Sequence, residues 1–266
     1  MKNDTVSFIG AGKISETWIE RLIRSGARLA DQVMACDPSD DRLNQLRSRY
    51  PGLNASANNA DGARFGSVVV IATPPPEVVP ALTQVRPVLQ DGAMVISLAA
   101  GVPLRKLVNA NPDLTVLRVM PNTPSMVGEG INLVCYAPGT AEDVRKRVES
   151  LLKFFGNQLE IAERDMEAYG ALCSVGPTFL FPIVQCLIDS AVEAGLSESL
   201  ARMAAAQVFV GTGQLVAASG RSVAELNDMI GLHTLPERET TLLVSGAYKD
   251  ALGKLKGLAA KMAAVA

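Results

Sequence analysis

The sequence predicts an α/β fold, with an N-terminal doubly wound parallel sheet over residues 1–162 followed by an all-α domain over residues 163–266. Three observations predict it. Short β-branched runs alternate with helical patterns in the first part. A glycine loop joins the first run to the first helix. Strand signals then stop near Glu163, where long stretches rich in Ala, Leu and Val begin.

Taken in order, the expected strands are 6–9 (VSFI), 32–36 (QVMAC), 68–72 (VVVIA), 94–97 (MVIS) and 116–120 (VLRVM). Several are apolar throughout, as a strand must be when helices cover both faces of its sheet. Between them, residues 14–25, 40–49 and 77–89 carry apolar side chains at helical spacing. A strand at 132–135, a helix at 141–155 and a strand at 158–162 close the sheet. In the second part, 179–194, 199–218 and 247–264 read as helices. They are too apolar for one small helical domain to cover, so a second subunit is the expected partner and the domain is read as a dimerisation domain.

Composition excludes several classes. At 266 residues, 48% hydrophobic and 20% charged, the chain is an ordinary globular one. A net charge of -2 gives no electrostatic case for nucleic acid. No uninterrupted apolar run approaches the roughly 20 residues that span a bilayer, so no membrane partner is expected. The N-terminus enters a strand at once, without the basic and apolar regions of a secretory signal. Cys36, Cys135, Cys173 and Cys186 are scattered, which suggests neither a metal site nor a disulfide framework, and a cytoplasmic location is expected.

Gly10-Ala11-Gly12-Lys13-Ile14-Ser15 follows the first strand and opens the first helix, the context of a dinucleotide-binding loop. Gly10 permits the tight turn, and Gly12 lets a pyrophosphate approach the backbone. The helix N-terminus supplies free amides. Ser15 stands where a third glycine is usual and is small enough to keep helix and strand close. A tight turn without a ligand is the plainer alternative. Asp37 ends the second strand, where a carboxylate accepts from the adenosine ribose hydroxyls and disfavours a 2′-phosphate. Ser39 and Arg42 are near enough to counter that preference, so NADH and NADPH both stay open. Asp37 could instead serve the turn DPSDD. Ala72-Thr73-Pro74 ends a strand at the sheet edge where ligands bind, or simply terminates it.

Three further stretches carry a resemblance: Ser97-Leu-Ala-Ala-Gly101-Val-Pro, Arg118-Val-Met-Pro-Asn122-Thr-Pro-Ser-Met-Val-Gly-Glu-Gly130, and Ala171-Leu-Cys-Ser-Val-Gly176-Pro177. In this order the chain resembles the Δ1-pyrroline-5-carboxylate reductases from the glycine loop to Asp228. The resemblance implies an N-terminal Rossmann domain and a helical domain that forms a homodimer, with larger rings in some members. It also implies NADH or NADPH as cofactor and hydride transfer to the C=N carbon of a cyclic imino acid. Carried over, Met120, Pro121, Asn122 and Thr123 line the nicotinamide and substrate side, and Val175, Gly176 and Pro177 lie beside the imino acid.

Departures cluster at the substrate end. One serine of the family's Ser-Gly-Ser-Gly-Pro is Val175 here, and a common lysine after the fourth strand is Thr73. The glycine-rich carboxylate-binding turn is rewritten over 229–241, where only Thr240 and Thr241 match. Thr240, Thr241 and His233, the single histidine, are the candidate catalytic residues. Thr240, Thr241 and Arg238 are candidates for binding the substrate. An exposed loop histidine and a solvated helix arginine are the plainer alternatives. A dehydrogenase of another substrate on this scaffold is disfavoured by the lack of any lysine between Lys153 and Lys249. A dinucleotide-binding paralogue without activity is the third reading.

Overall fold

The computed structural model describes residues 4–110, 114–232 and 234–264. The chain begins with β1 (Val6–Ile9), α1 (Lys13–Arg24), β2 (Val33–Cys36), α2 (Asp40–Arg49) and β3 (Asn54–Ser56). It continues through α3 (Asn59–Phe65), β4 (Val68–Ile71), α4 (Val78–Val85), β5 (Met94–Ser97) and α5 (Leu104–Ala110). Then come β6 (Thr115–Met120), β7 (Gly130–Tyr136), α6 (Glu142–Leu152), β8 (Gly156–Glu160) and α7 (Met166–Cys173). Helices α8 (Pro177–Glu193), α9 (Glu198–Ala218), α10 (Val223–Asp228) and α11 (Glu237–Ala264) complete it.

The eight strands form one sheet in the order β3-β2-β1-β4-β5-β6-β7-β8. Every neighbouring pair is parallel except β6 and β7. The chain steps outward in opposite directions from β1 and β4, which makes their junction the switch point at which ligands bind in doubly wound sheets.

Alternating side chains bury both faces. Val6, Phe8, Val68 and Val70 join a cluster with Trp18, Leu22, Leu43 and Leu151 from α1, α2 and α6. Ile9, Val69, Ile71 and Val95 join another with Val78, Leu82 and Leu107 from α4 and α5. A fully buried aliphatic or aromatic side chain of this kind stabilises the fold by about 1.5–3 kcal/mol. Trp18 stacks on Phe155 with ring centroids 4.3 Å apart, holding α1 to the segment before β8.

Three short elements escape the sequence reading. β3 is a three-residue edge strand (Asn-Ala-Ser) whose one apolar residue, Ala55, is too little to show alternation. α3 contains Gly62, which resembles a turn residue but is required sterically, because a Cβ there would meet Cys36 Sγ at 2.6 Å. α5 spans only two turns.

The structure divides into one compact unit of residues 1–175 with 251–266 and a second of 176–250. The composition break at 162/163 therefore precedes the break in contacts. Met166 of α7 is buried in the sheet core, and a Cβ on Gly170 would meet Met120 Sδ at 2.7 Å, so α7 belongs to the sheet unit. The end of α11 belongs there too, with Leu258 against Gly101. α11 also begins ten residues earlier than position 247, so Thr240 and Thr241 are helical.

The bilayer count also needs correction. The helical run Glu163–Glu193 contains an 18-residue window of mean hydropathy 1.8, long and apolar enough to cross a membrane by length and composition. Only 11% of that window is buried within the chain.

Candidate active site

β1 is followed by Gly10, whose φ of 92° is open to glycine. A Cβ there would meet the Ala72 carbonyl oxygen at 2.8 Å, so the end of β4 demands glycine at this position. Gly12 caps α1 with no side-chain bond to its first turn, and the space beside it is empty to 4 Å. The first-turn amides therefore face a cleft at the positive end of the helix dipole. Ser15, fully buried, donates its hydroxyl to Gly10 O at 2.5 Å and braces the loop that a third glycine would merely have accommodated.

Pro38 stops β2 because it cannot continue the ladder, which leaves Asp37 at the strand end. Asp37 Oδ2 accepts from Ala11 N at 2.9 Å, and Oδ1 accepts from Ser39 N at 3.0 Å. The carboxylate thus serves the local turn and the glycine loop at once. Arg42 Nε donates to Ala11 O at 2.6 Å, while its Nη2 reaches Glu16 Oε2 at 2.6 Å. Arg49 Nη1 donates to Glu16 Oε1 at 2.6 Å. Burial works to raise the Glu16 pKa, but the bonds and charges of Arg42 and Arg49 hold it below the usual carboxylate range.

Gly10, Gly12, Asp37, Ala72, Thr73 and Pro74 line one cleft of about 880 Å³. Pro38, Asn59, Glu77 and Gln84 line it as well, and these the sequence reading missed. Asn59 lies on the unrecognised α3, where it donates to Gln84 Oε1 at 3.0 Å. Glu16 was missed too. Its signal was available, since an acid in the first turn of a helix meant to face phosphates needs a compensating cation.

Not every candidate presents its side chain to the cleft. Ala11 is fully buried and Ile14 packs on the core, so these two offer backbone only. Lys13 is the exposed first residue of α1. Met120 and Pro121 are buried at the end of β6 and Thr123 is exposed just beyond. Asn122 accepts from Ile131 N at 3.0 Å and donates to Cys173 O at 3.2 Å, which spends its amide on holding β6, β7 and α7 together.

Gly176, Pro177, Arg238, Thr240 and Thr241 belong to the second unit. Gly176 and Pro177 open α8, where proline suits the first helical position. Val175, just before them, bonds its amide to Gly170 O at 3.1 Å. Arg238 and Thr241 are exposed in the first turns of α11. Thr240 Oγ1 donates to Pro236 O at 2.8 Å. His233 lies outside the described residues.

The cleft fits a dinucleotide on its own evidence. Gly10 brings two strand ends together, Gly12 leaves room for a phosphate against uncapped amides, and Thr73 Oγ1 is buried with no hydrogen-bond partner among the described residues.

Comparison with known proteins agrees. Residues 5–101 match the family described as NADP oxidoreductase coenzyme F420-dependent, and residues 163–233 match pyrroline-5-carboxylate reductase dimerisation. The chain is 30% identical to a pyrroline-5-carboxylate reductase of Methanosarcina acetivorans, over 89% of this chain and 91% of that one. It is also 30% identical to pyrroline-5-carboxylate reductase 3 of Rattus norvegicus over 96% of each. A Plasmodium falciparum pyrroline carboxylate reductase solved with NADP bound superposes with a TM-score of 0.84 at 24% identity, covering 97% of this chain and 99% of that one. The sheet order, the glycine-loop cleft and these relatives together establish that the chain belongs to the pyrroline-5-carboxylate reductase family.

Proposed function

We propose that this protein is an NAD(P)H-dependent reductase of the C=N bond in pyrroline-5-carboxylate or a closely related cyclic imino acid, of the proline-biosynthesis type. The carrying observation is the cleft at the β1/β4 switch point, built as a dinucleotide site in a chain with reductase relatives along most of its length. The bound reduced nicotinamide supplies the hydride.

The chain's own residues bind and orient. The amides after Gly12 take the pyrophosphate, Asp37 takes the adenosine ribose, and the Thr73 hydroxyl offers an unspent donor. Met120-Pro121-Asn122 forms a ledge made rigid by the two Asn122 bonds. A protonated imine is already electrophilic, so positioning two reactants supplies most of what is needed, about 7–11 kcal/mol where the geometry is good.

At the substrate end, Thr240 has its proton committed to Pro236 O, so its oxygen is left as an acceptor. That suits an imine N–H⁺. Arg238, between Glu237 and Glu239 in the first turn of α11, suits a carboxylate. His233 remains a candidate acid of the same segment.

A homodimer is part of this reading. Leu187, Leu200, Met203 and Val208 of α8 and α9 are 47–64% exposed within one chain, and the match of residues 163–233 to a dimerisation family supports a second copy as their cover. Rings of dimers and a cytoplasmic location complete the proposal, the latter in keeping with four free cysteines.

The test mixes the purified protein with NADH or NADPH and follows nicotinamide absorbance with pyrroline-5-carboxylate, other cyclic imines, and hydroxy or keto acids. Turnover of a cyclic imino acid is expected. Turnover of hydroxy or keto acids alone, or tight cofactor binding without turnover of any of them, would overturn the reading.

A further inference from the structure

The structure assigns the choice between the two nicotinamide dinucleotides, and it assigns it through Glu16 as much as through Asp37. We infer that the cleft selects NADH, because Asp37 stands at the end of β2 and Glu16 restrains Arg42 of the adjoining helix. The inference rests on the cleft being the dinucleotide site.

A 2′-phosphate needs cationic or neutral donors near the end of β2. Around that point the chain places Asp37, Asp40 and Asp41, three carboxylates within five residues. Asp40 and Asp41 occupy the first turn of α2, so the helix terminus that would otherwise attract an anion is already faced by two acids. The Ser39 hydroxyl caps that helix, accepting from Arg42 N at 3.3 Å. Asp37 cannot easily swing aside, since its two oxygens hold Ala11 N and Ser39 N. Its remaining lone pairs are acceptors, which suits a ribose hydroxyl and repels a dianion.

Arg42 is a cation beside this turn, and two of its three guanidinium nitrogens are engaged elsewhere. Nε is bonded to Ala11 O and Nη2 to Glu16, which also holds Arg49. Glu16 sits in the first turn of the helix that carries the glycine loop, so this brace belongs to the loop architecture. Glu16 is a positioning residue: it acts on the cofactor by restraining Arg42. The sequence alone left Arg42 and Ser39 as counterweights to Asp37; the geometry restrains Arg42 through Glu16 and sets Ser39 at the head of a helix whose first turn carries two acids.

The experiment measures binding of NADH and of NADPH separately by calorimetry, with energy transfer from Trp18, the only tryptophan, as a second readout. Wild type should bind NADH more tightly by about ten-fold, the scale of one partly screened like-charge contact at the rim of the cleft. Arg42→Ala should not weaken NADPH relative to NADH. Glu16→Gln, which frees Arg42, should shift the ratio of dissociation constants toward NADPH, as should Asp37→Ser. Equal or tighter NADPH binding by wild type, or an Arg42→Ala variant that loses NADPH selectively, would overturn the inference. Binding of neither dinucleotide would instead overturn the cleft as the cofactor site. Reading the ratio separates selection from any general loosening of the loop, which would weaken both ligands alike.

Discussion

Arg118 Nη1 lies 2.7 Å from Glu163 Oε1, pairing the middle of β6 with the residue at which strand signals end. The same oxygen accepts from Leu104 N at 2.5 Å, so one carboxylate caps α5 and neutralises an arginine whose side chain is 4% exposed. Arg118 Nη2 has no partner among the described residues. Removing the carboxylate leaves a buried, unpaired cation, and Glu163→Ala is expected to cost about 2–4 kcal/mol in urea denaturation. Arg118→Met combined with Glu163→Ala should be more stable than Glu163→Ala alone. A single variant as stable as wild type would show the pair to be dispensable.

Gly10→Ala places a Cβ at 2.8 Å from Ala72 O on a backbone at φ 92°. Strain of this kind costs about 1–3 kcal/mol, and the loop relieves it by moving away from the end of β4. Dinucleotide binding should fall by more than about ten-fold, since 1.4 kcal/mol is one decade of affinity. Calorimetric titration checks this, and unchanged affinity would remove Gly10 from the site.

The Glu16 pKa is lowered in the folded chain from 4.5. Its stabilising contribution is thus fully present above that value and is lost as pH falls through the lower folded pKa. Denaturation of wild type and Glu16→Gln as a function of pH should show a stability gap near neutrality that closes in acid. A gap that widens on acidification would contradict the Glu16–Arg42–Arg49 arrangement.

Burial pushes the Cys36 thiol up to about 12, whereas Cys186 is exposed within one chain. A thiol reagent applied to the native protein should leave Cys36 unmodified until the fold opens, because the thiolate is the reacting form. Mass spectrometry of partially labelled protein identifies which cysteine reacts. Early labelling of Cys36 would contradict the packing of α3 over β2.

Met203 is 64% exposed on α9. If a second copy covers that face, Met203→Glu buries a charge and should shift the mass measured by light scattering from dimer to monomer. An unaltered dimer would move the interface elsewhere.

How much of this was legible in the sequence follows from how each element is stabilised. β1, β4 and β5 could be read because a parallel strand covered on both faces is apolar at nearly every position, Ser7 and Ser97 being the exceptions here. The glycine loop could be read because its function constrains backbone that has no side chain to spare. β3 and α3 could not be read, since an edge strand of Asn-Ala-Ser and a helix containing Gly62 satisfy contacts made by distant segments rather than any local preference.

The sequence by itself determined the sheet-then-helix order, the dinucleotide loop and the family, all of which depend on local pattern or short motifs. Only the tertiary structure decided that α7 and the end of α11 belong with the sheet, that Asn122 is spent on backbone bonds, and that Arg42 answers to Glu16. These depend on pairings between residues far apart in the chain. A side chain's free donors and acceptors are known only once its neighbours are in place, and residue type alone does not specify them.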